Sequence, residues 1–314
     1  MTRVGLYLDL RVPAGRDAAD VYRRTLDRVV AAEERGLGAV WVTEHHGFAD
    51  GYLPAPLTMA AALAARTRRV RIGTGVVIAP LVPAETLAEQ AAVVDLVSGG
   101  RLELGLGAGW RAEEFERVGA DHRTRYDVLE ARLARLPQLW ADGTVTPAPV
   151  QDPVPTWVGA RGPRGARLAG RAGAGLLWLD PDLIAPYREG LAAGGHADTG
   201  RLGGLVNVFL ADDPDEAKAR LREAAGRNRA SYRGNDEAAK SSGDTTFPRL
   251  KVRTGPDAVA AVREQLAPLA GMPVTDVFCF ADLGGLPDDL VDRHLELVTD
   301  VLTPGLADAA AVVA

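Results

Sequence analysis

Residues 4–42 read VGLYLDLRVPAGRDAADVYRRTLDRVVAAEERGLGAVWV, and this stretch decides the fold. Val4 to Asp9 is the short apolar run of a buried strand. From about Asp20 to Arg35 the apolar residues switch to helical spacing, with Val21, Leu26, Val29 and Val30 on one face, and Gly36 ends the helix. Ala39 to Val42 is strand-like again. Strand, helix and strand in such quick succession make a βαβ unit, whose two strands lie parallel.

The same rhythm continues outward. Further strands are expected at Val70 to Ile78, Leu102 to Leu106, Thr156 to Val158, Gly175 to Leu179, Leu205 to Leu210 and Asp276 to Phe280. Helical patterns fall at Leu57 to Arg66, Thr86 to Val97, Arg125 to Trp140, Arg164 to Arg171, Leu183 to Ala193, Pro214 to Tyr232, Asp257 to Ala270 and Asp288 to Leu302. Eight parallel strands, each followed by a helix, close into a (β/α)8 TIM barrel more readily than they spread as an open sheet, and 314 residues suit such a barrel with insertions. One domain over 1–314 is expected. The Pro-rich Pro147 to Pro155 reads as a long loop, because another strand follows it at once. The stretch from about 233 to 253 is polar, Gly- and Ser-bearing and aperiodic, so it is expected to form a mobile lid or an insertion at the barrel mouth.

Bulk properties narrow the function classes. A formal charge of -6 offers no basic footprint for nucleic acid or an anionic membrane. No run reaches the ~18 apolar residues of a membrane span, and the N-terminal residues lead into a strand without the pattern of a secretory leader. Cys279 is the single cysteine, which excludes an internal disulfide and a cysteine metal cluster. A cytoplasmic protein acting on small molecules is expected, with Cys279 a small buried strand residue rather than a reactive thiol.

Catalytic groups of such barrels follow the C-terminal ends of strands. The second strand ends in Trp41-Val42-Thr43-Glu44-His45-His46-Gly47, which brings two of the five histidines and a carboxylate to a strand end. Histidine exchanges protons near neutral pH, so His45 is the leading catalytic candidate, with His46 and Glu44 either joining it or orienting it. No metal site is expected: His122, His196 and His294 lie in a loop, a Gly-rich turn and a helix, none directly after a strand. Gly105-Leu106-Gly107-Ala108-Gly109-Trp110, after the fourth strand, could let backbone approach a ligand, but a dinucleotide fingerprint would stand nearer the start and want an acidic partner better placed than Asp127. After the fifth strand, Arg161-Gly162-Pro163-Arg164-Gly165 opens a helix. Its amides and guanidinium groups suit a phosphate, and a plain glycine turn with solvated arginines is the alternative.

In this order and spacing the chain resembles the bacterial-luciferase-like monooxygenase superfamily over nearly its whole length. The resemblance is carried by Trp41 with Glu44-His45-His46, by Arg71-Ile72-Gly73-Thr74-Gly75-Val76-Val77, by Glu89-Gln90 with Asp95 and Ser98-Gly99-Gly100-Arg101, by Gly105 to Trp110, and by Gly162-Pro163-Arg164 before Leu168-Ala169-Gly170. It implies a flavin bound at the mouth by Gly75, Val76, Gly107, Ala108 and Trp110, its phosphate held by Arg161, Gly162, Arg164 and Gly165, and a non-proline cis peptide at Gly75-Val76. Ala108 departs from the pattern, since luciferases place a phosphate-binding arginine there.

What the resemblance implies about activity is a flavin-dependent monooxygenase. Such an enzyme takes reduced FMN from a separate flavin reductase, adds dioxygen to form a flavin C(4a)-peroxide supported by His45, and oxygenates a small, hydrophobic organic substrate. The alternatives are hydride transfer with an 8-hydroxy-5-deazaflavin coenzyme and a non-catalytic flavin-binding protein. The Glu44-His45-His46 form is closer to the FMN branch. A homodimer is expected.

Overall fold

The computed structural model describes residues 2–197, 200–234, 250–269 and 271–307. Its strands are β1 (Arg3–Leu8), β2 (Ala39–Val42), β3 (Arg71–Thr74), β4 (Val77–Ile78), β5 (Leu102–Gly107), β6 (Thr156–Gly159), β7 (Gly175–Leu176), β8 (Leu202–Leu205), β9 (Val208–Leu210), β10 (Lys251–Arg253) and β11 (Val274–Phe280). They pair in the order β3-β2-β1-β11-β8-β7-β6-β5-β4, and β3 also bonds β5, which closes the sheet. β3 and β4 are one stave interrupted at Gly75-Val76, so the result is the expected eight-stave parallel TIM barrel.

Around it run α1 (Ala18–Glu34), α2 (Pro56–Arg66), α3 (Ala84–Ser98), α4 (Ala112–Val118), α5 (Arg125–Ala141), α6 (Pro163–Arg171), α7 (Ile184–Gly194), α8 (Pro214–Gly234), α9 (Gly255–Leu266) and α10 (Asp288–Leu297). The first helix forms as its sequence directs: the Asp17 side chain accepts from the Ala19 amide at the N-terminus, and Gly36 leaves the helix with φ +97°.

Side chains alternate along each stave, and the inward set builds layers. At the floor, Glu103 accepts from Arg3 Nη2 at 3.0 Å, Arg71 Nε at 2.9 Å and Trp157 Nε1 at 2.8 Å, while Arg3 also pairs with Asp276 at 2.8 Å. At the waist Trp41 and Trp157 meet edge to face, with centroids 5.7 Å apart. Both indoles are fully buried, and neighbouring staves make room for them with glycine. A Cβ on Gly73 would lie 2.2 Å from Trp41 Cε3, and one on Gly175 would lie 2.3 Å from Trp157 Cε3. Burying each indole is worth about 5 kcal/mol before entropy is counted, so these glycines are fixed by packing.

Two expectations need correction, the seventh strand and the end of the last long helix. The seventh stave is Leu202–Leu205, not Leu205 to Leu210; β9 leaves the barrel and pairs with β10 instead. Gly203 and Gly204 look like loop, yet a Cβ at Gly203 would stand 3.1 Å from Trp157, so the interior wants glycine there. Of the proposed 233–253 lid, 235–249 lies outside the described residues, and Lys251–Arg253 is strand β10. The last long helix turns into a π-helical turn at Val298–Leu302.

Candidate active site

His45 stands just past the end of β2, its amide bonded to the Leu53 carbonyl at 3.0 Å. Its ring Nδ1 meets Glu114 Oε1 at 2.9 Å. Glu114 lies in the first turn of α4, which opens after β5, and its side chain is entirely buried. The same oxygen accepts from the His46 amide at 2.9 Å and has Arg111 Nη1 at 3.5 Å. Burial pushes the Glu114 carboxyl up, but the His45 hydrogen bond and charge, the His46 amide and Arg111 outweigh it and hold it below its ordinary value. Glu114 is thus an anion whose Oε1 can accept from Nδ1–H, a contact that fixes the orientation of the His45 ring.

Glu44 and His46 form a second pair. Glu44 Oε1 meets His46 Nε2 at 2.7 Å, and Oε2 accepts from the Ile78 amide at 2.6 Å, so this carboxylate straps the β2 loop to the β4 stave. The Glu44 hydrogen bond raises the His46 pKa in spite of partial burial. Around His45 an aromatic wall packs: Tyr52 at 4.8 Å, Phe48 at 4.9 Å and Trp110 at 5.6 Å between centroids. His122 Nε2 reaches the Trp110 carbonyl at 3.0 Å and props that residue, which stays 41% exposed at the mouth.

Gly75-Val76 is a cis peptide, and Tyr7 donates its hydroxyl proton to the Gly75 carbonyl at 2.9 Å. Val76 projects between β5 and β6. A Cβ on Gly107 would be 2.5 Å from Val76 Cγ2, and one on Gly159 would be 2.6 Å from Val76 Cγ1. A Cβ on Gly105 would fall 1.8 Å from the Thr74 carbonyl oxygen. Gly105 and Gly107, both inside β5, therefore admit this protein's own bulge; they do not by themselves speak for a ligand. Ala108, 7% exposed, follows in the same turn.

At the end of β6, Gly162 caps α6 with no side-chain hydrogen bond and open space where a Cβ would stand. The first-turn amides of Arg164 and Gly165 are the kind that receive an anion. Arg161 lies over Trp178 at 5.0 Å, and Arg164 over Tyr126 at 4.7 Å with a 2.5 Å ion pair to Asp127, both partners exposed. Gly165 has a packing reason of its own, since a Cβ there would be 2.6 Å from the Ala160 Cβ. The barrel order places β3/β4, β5 and β6 side by side, so Val76, Gly107 and Gly159 line the rim between the His45 loop and α6.

Of the residues singled out in the sequence, His45, Trp110, Gly75 and Val76 gather at the mouth, Arg161, Gly162, Arg164 and Gly165 form the α6 corner, and Glu44 with His46 stand to one side. Glu114, Arg111, Tyr7 and the Phe48–Tyr52 wall were missed. A carboxylate one turn into a helix that opens after a strand was the readable signal for Glu114. Cys279 is fully buried, and burial pushes its thiol up to about 12. His294 stacks on Phe209 at 3.9 Å, far from any such role. No group of three or more His, Cys, Asp or Glu is set to hold a metal among the described residues, and no helix among them is long and apolar enough to cross a membrane.

This barrel, with its mouth at the strand ends and its interrupted third stave, defines a class. The luciferase-like monooxygenase family model matches residues 2–274, and the chain belongs to that family. An F420-dependent glucose-6-phosphate dehydrogenase of Kineococcus radiotolerans is 33% identical over 223 residues, 62% of this chain and 65% of that protein. The oxygenase component of a flavin-dependent trigonelline monooxygenase from Acinetobacter baylyi is 30% identical over 191 residues, 55% of this chain and 53% of its own. The chain thus spans less than two thirds of either relative. A monooxygenase structure from Streptomyces bottropensis superposes with TM-score 0.85 at 24% identity, covering 98% of this chain and 100% of the other, which shows the shared fold. Flavin and deazaflavin oxidoreductases both stand among the relatives.

Proposed function

We propose that the chain is the oxygenating component of a two-component flavin monooxygenase, taking reduced FMN from a separate reductase and using dioxygen to oxygenate an apolar organic substrate. The observation that carries this reading is the His45–Glu114 pair: a buried carboxylate fixes one ring nitrogen and turns the other into a proton carrier beside an aromatic wall. The residues present fit a flavin. Trp41 Nε1, Thr43 Oγ1 and Glu114 Oε2 are buried without a hydrogen-bond partner among the described residues, and such atoms suit the polar edge of a ligand or ordered water. The Val76 bulge and Trp110 offer apolar contacts, Gly162 with Arg161 and Arg164 would hold the phosphate, and these arginines make up for Ala108. Reduced flavin, when bound, supplies the electrons that activate dioxygen. His45 Nε2 gives or takes the accompanying proton, Glu114 keeps the ring oriented, and the Phe48, Tyr52 and Trp110 rings exclude water.

Deazaflavin-linked hydride transfer is the second reading, favoured by the likeness to the Kineococcus dehydrogenase. Anaerobic titration with FMN, reduced FMN and the deazaflavin, followed by air, separates the two. A transient absorbance unlike either oxidised or reduced flavin supports oxygenation; tight deazaflavin binding without a reaction with oxygen overturns it. His45→Ala should keep flavin binding and lose product formation. The homodimer has its own support in α3, which exposes Val93, Leu96 and Val97 along one face at 47%, 39% and 48%.

A further inference from the structure

We propose that Arg11 is a positioning residue, a guanidinium strap that holds the aromatic wall against His45 without touching cofactor or substrate. This rests on the reading of His45 as the proton carrier. The Arg11 side chain is 1% exposed, so its charge must be matched inside the protein. Nε donates to Asp9 Oδ2 at 2.9 Å, and Nη1 donates to Asp50 and, at 3.2 Å, to Ser231 Oγ. Those partners come from the end of β1, the loop after β2, and α8. One flat group thereby ties three elements of the mouth together.

The face of the same guanidinium lies over Tyr52 at 4.5 Å and Phe48 at 5.7 Å, the two rings that pack on His45. Arg111 covers Phe48 at 4.5 Å and donates to the His46 carbonyl at 2.9 Å. Backbone bonds run along the same path: Val12 N to Asp50 O at 2.7 Å, Leu53 N to Asp9 O at 3.1 Å, and His45 N to Leu53 O at 3.0 Å. The loop that carries His45 is therefore stapled from both sides, and the staple on the β1 side is Arg11. A lysine, with one compact ammonium in place of a flat fork, cannot reach both carboxylates from separate nitrogens while laying a planar face on the rings.

The test needs neither oxygen nor a known substrate. In the purified chain, carbethoxylation by diethyl pyrocarbonate is followed at His45 by peptide mass spectrometry, with His45→Ala as control. Arg11→Gln should raise the His45 rate at least fivefold while FMN and deazaflavin affinities stay within twofold, and Arg11→Lys should lie between it and the parent. A His45 rate within twofold of the parent in folded Arg11→Gln overturns the proposal, as does full recovery by Arg11→Lys. Should Arg11→Gln fail to fold, Asp50→Asn and Tyr52→Leu remove the strap's partners singly and carry the same criterion. If His45 reacts as expected but no flavin binds, the strap stands and the oxygenase reading falls.

Discussion

Replacing Glu103 by leucine removes the acceptor at the barrel floor. Three donors then lose a partner: Arg3 Nη2, Arg71 Nε and Trp157 Nε1, which lay within 3.0 Å. The indole N–H is fully buried, and stranding such a donor costs about 1–3 kcal/mol. Breaking a buried ion pair costs about 3–5 kcal/mol, but that figure must be discounted here. Arg3 and Arg71 are 36% and 21% exposed, Arg3 keeps Asp276, and Arg71 keeps the Gly100 and Leu102 carbonyls and Gln151. A total of about 3 kcal/mol follows. With an unfolding entropy of about 2.1 cal/mol/K per residue, Tm should fall by roughly 4 to 5 °C. Glu103→Gln retains an oxygen for the indole and should lose about half as much. Circular dichroism melts of the three proteins measure it. A shift below about 1 °C for the leucine variant, or a larger loss for glutamine than for leucine, would refute the reasoning.

Further outcomes can be checked alongside it. Glu114→Gln turns two charge-assisted hydrogen bonds into neutral ones, so turnover should drop about 10²-fold with flavin affinity little changed; single-turnover kinetics decide, and undiminished turnover sinks the role. His294 accepts from the Leu210 amide at 3.0 Å and donates to the Phe280 carbonyl at 3.0 Å as a neutral ring, and burial lowers its pKa from 6.5 to about 4. The unfolded chain therefore binds the extra proton between those values, and stability falls as pH drops from 6.5 towards 4, by about 3 kcal/mol. Urea titrations at pH 7.5 and 4.5 should show a smaller acid loss for His294→Gln than for the parent. Val97→Glu on the exposed α3 face should convert a dimer to monomer by light scattering, and an unaltered mass would remove α3 from the interface.

Much of the frame was legible because the βαβ rhythm is local. Strand ends then place the His45 loop and the α6 corner without further information, and the cis peptide at Gly75-Val76 falls where the family resemblance puts it. The rest depends on distant partners. Glu114 is 69 positions from His45, inside a short helix with little periodicity to announce it. Gly203 and Gly204 imitate a loop because glycine's reason there, the flank of Trp157 and the side of Leu179, comes from the two preceding staves and not from local sequence. Gly105 and Gly107 also have a packing reason that the sequence hides, since a Cβ on either would meet Thr74 or Val76. Ser98 and Arg101, part of the family signature, prove to be scaffold: Arg101 donates to the Ala64, Thr67 and Val70 carbonyls and joins α2 to the start of β3.

The tryptophan-filled waist has a consequence for traffic. With two indoles packed edge to face between glycines above an ionic floor, the middle of the barrel is filled by side chains rather than by space for a ligand. A ligand of the strand-end mouth would then enter and leave over the loops that rim it, so a substitution in any one of those loops should bear on every exchange at that mouth at once.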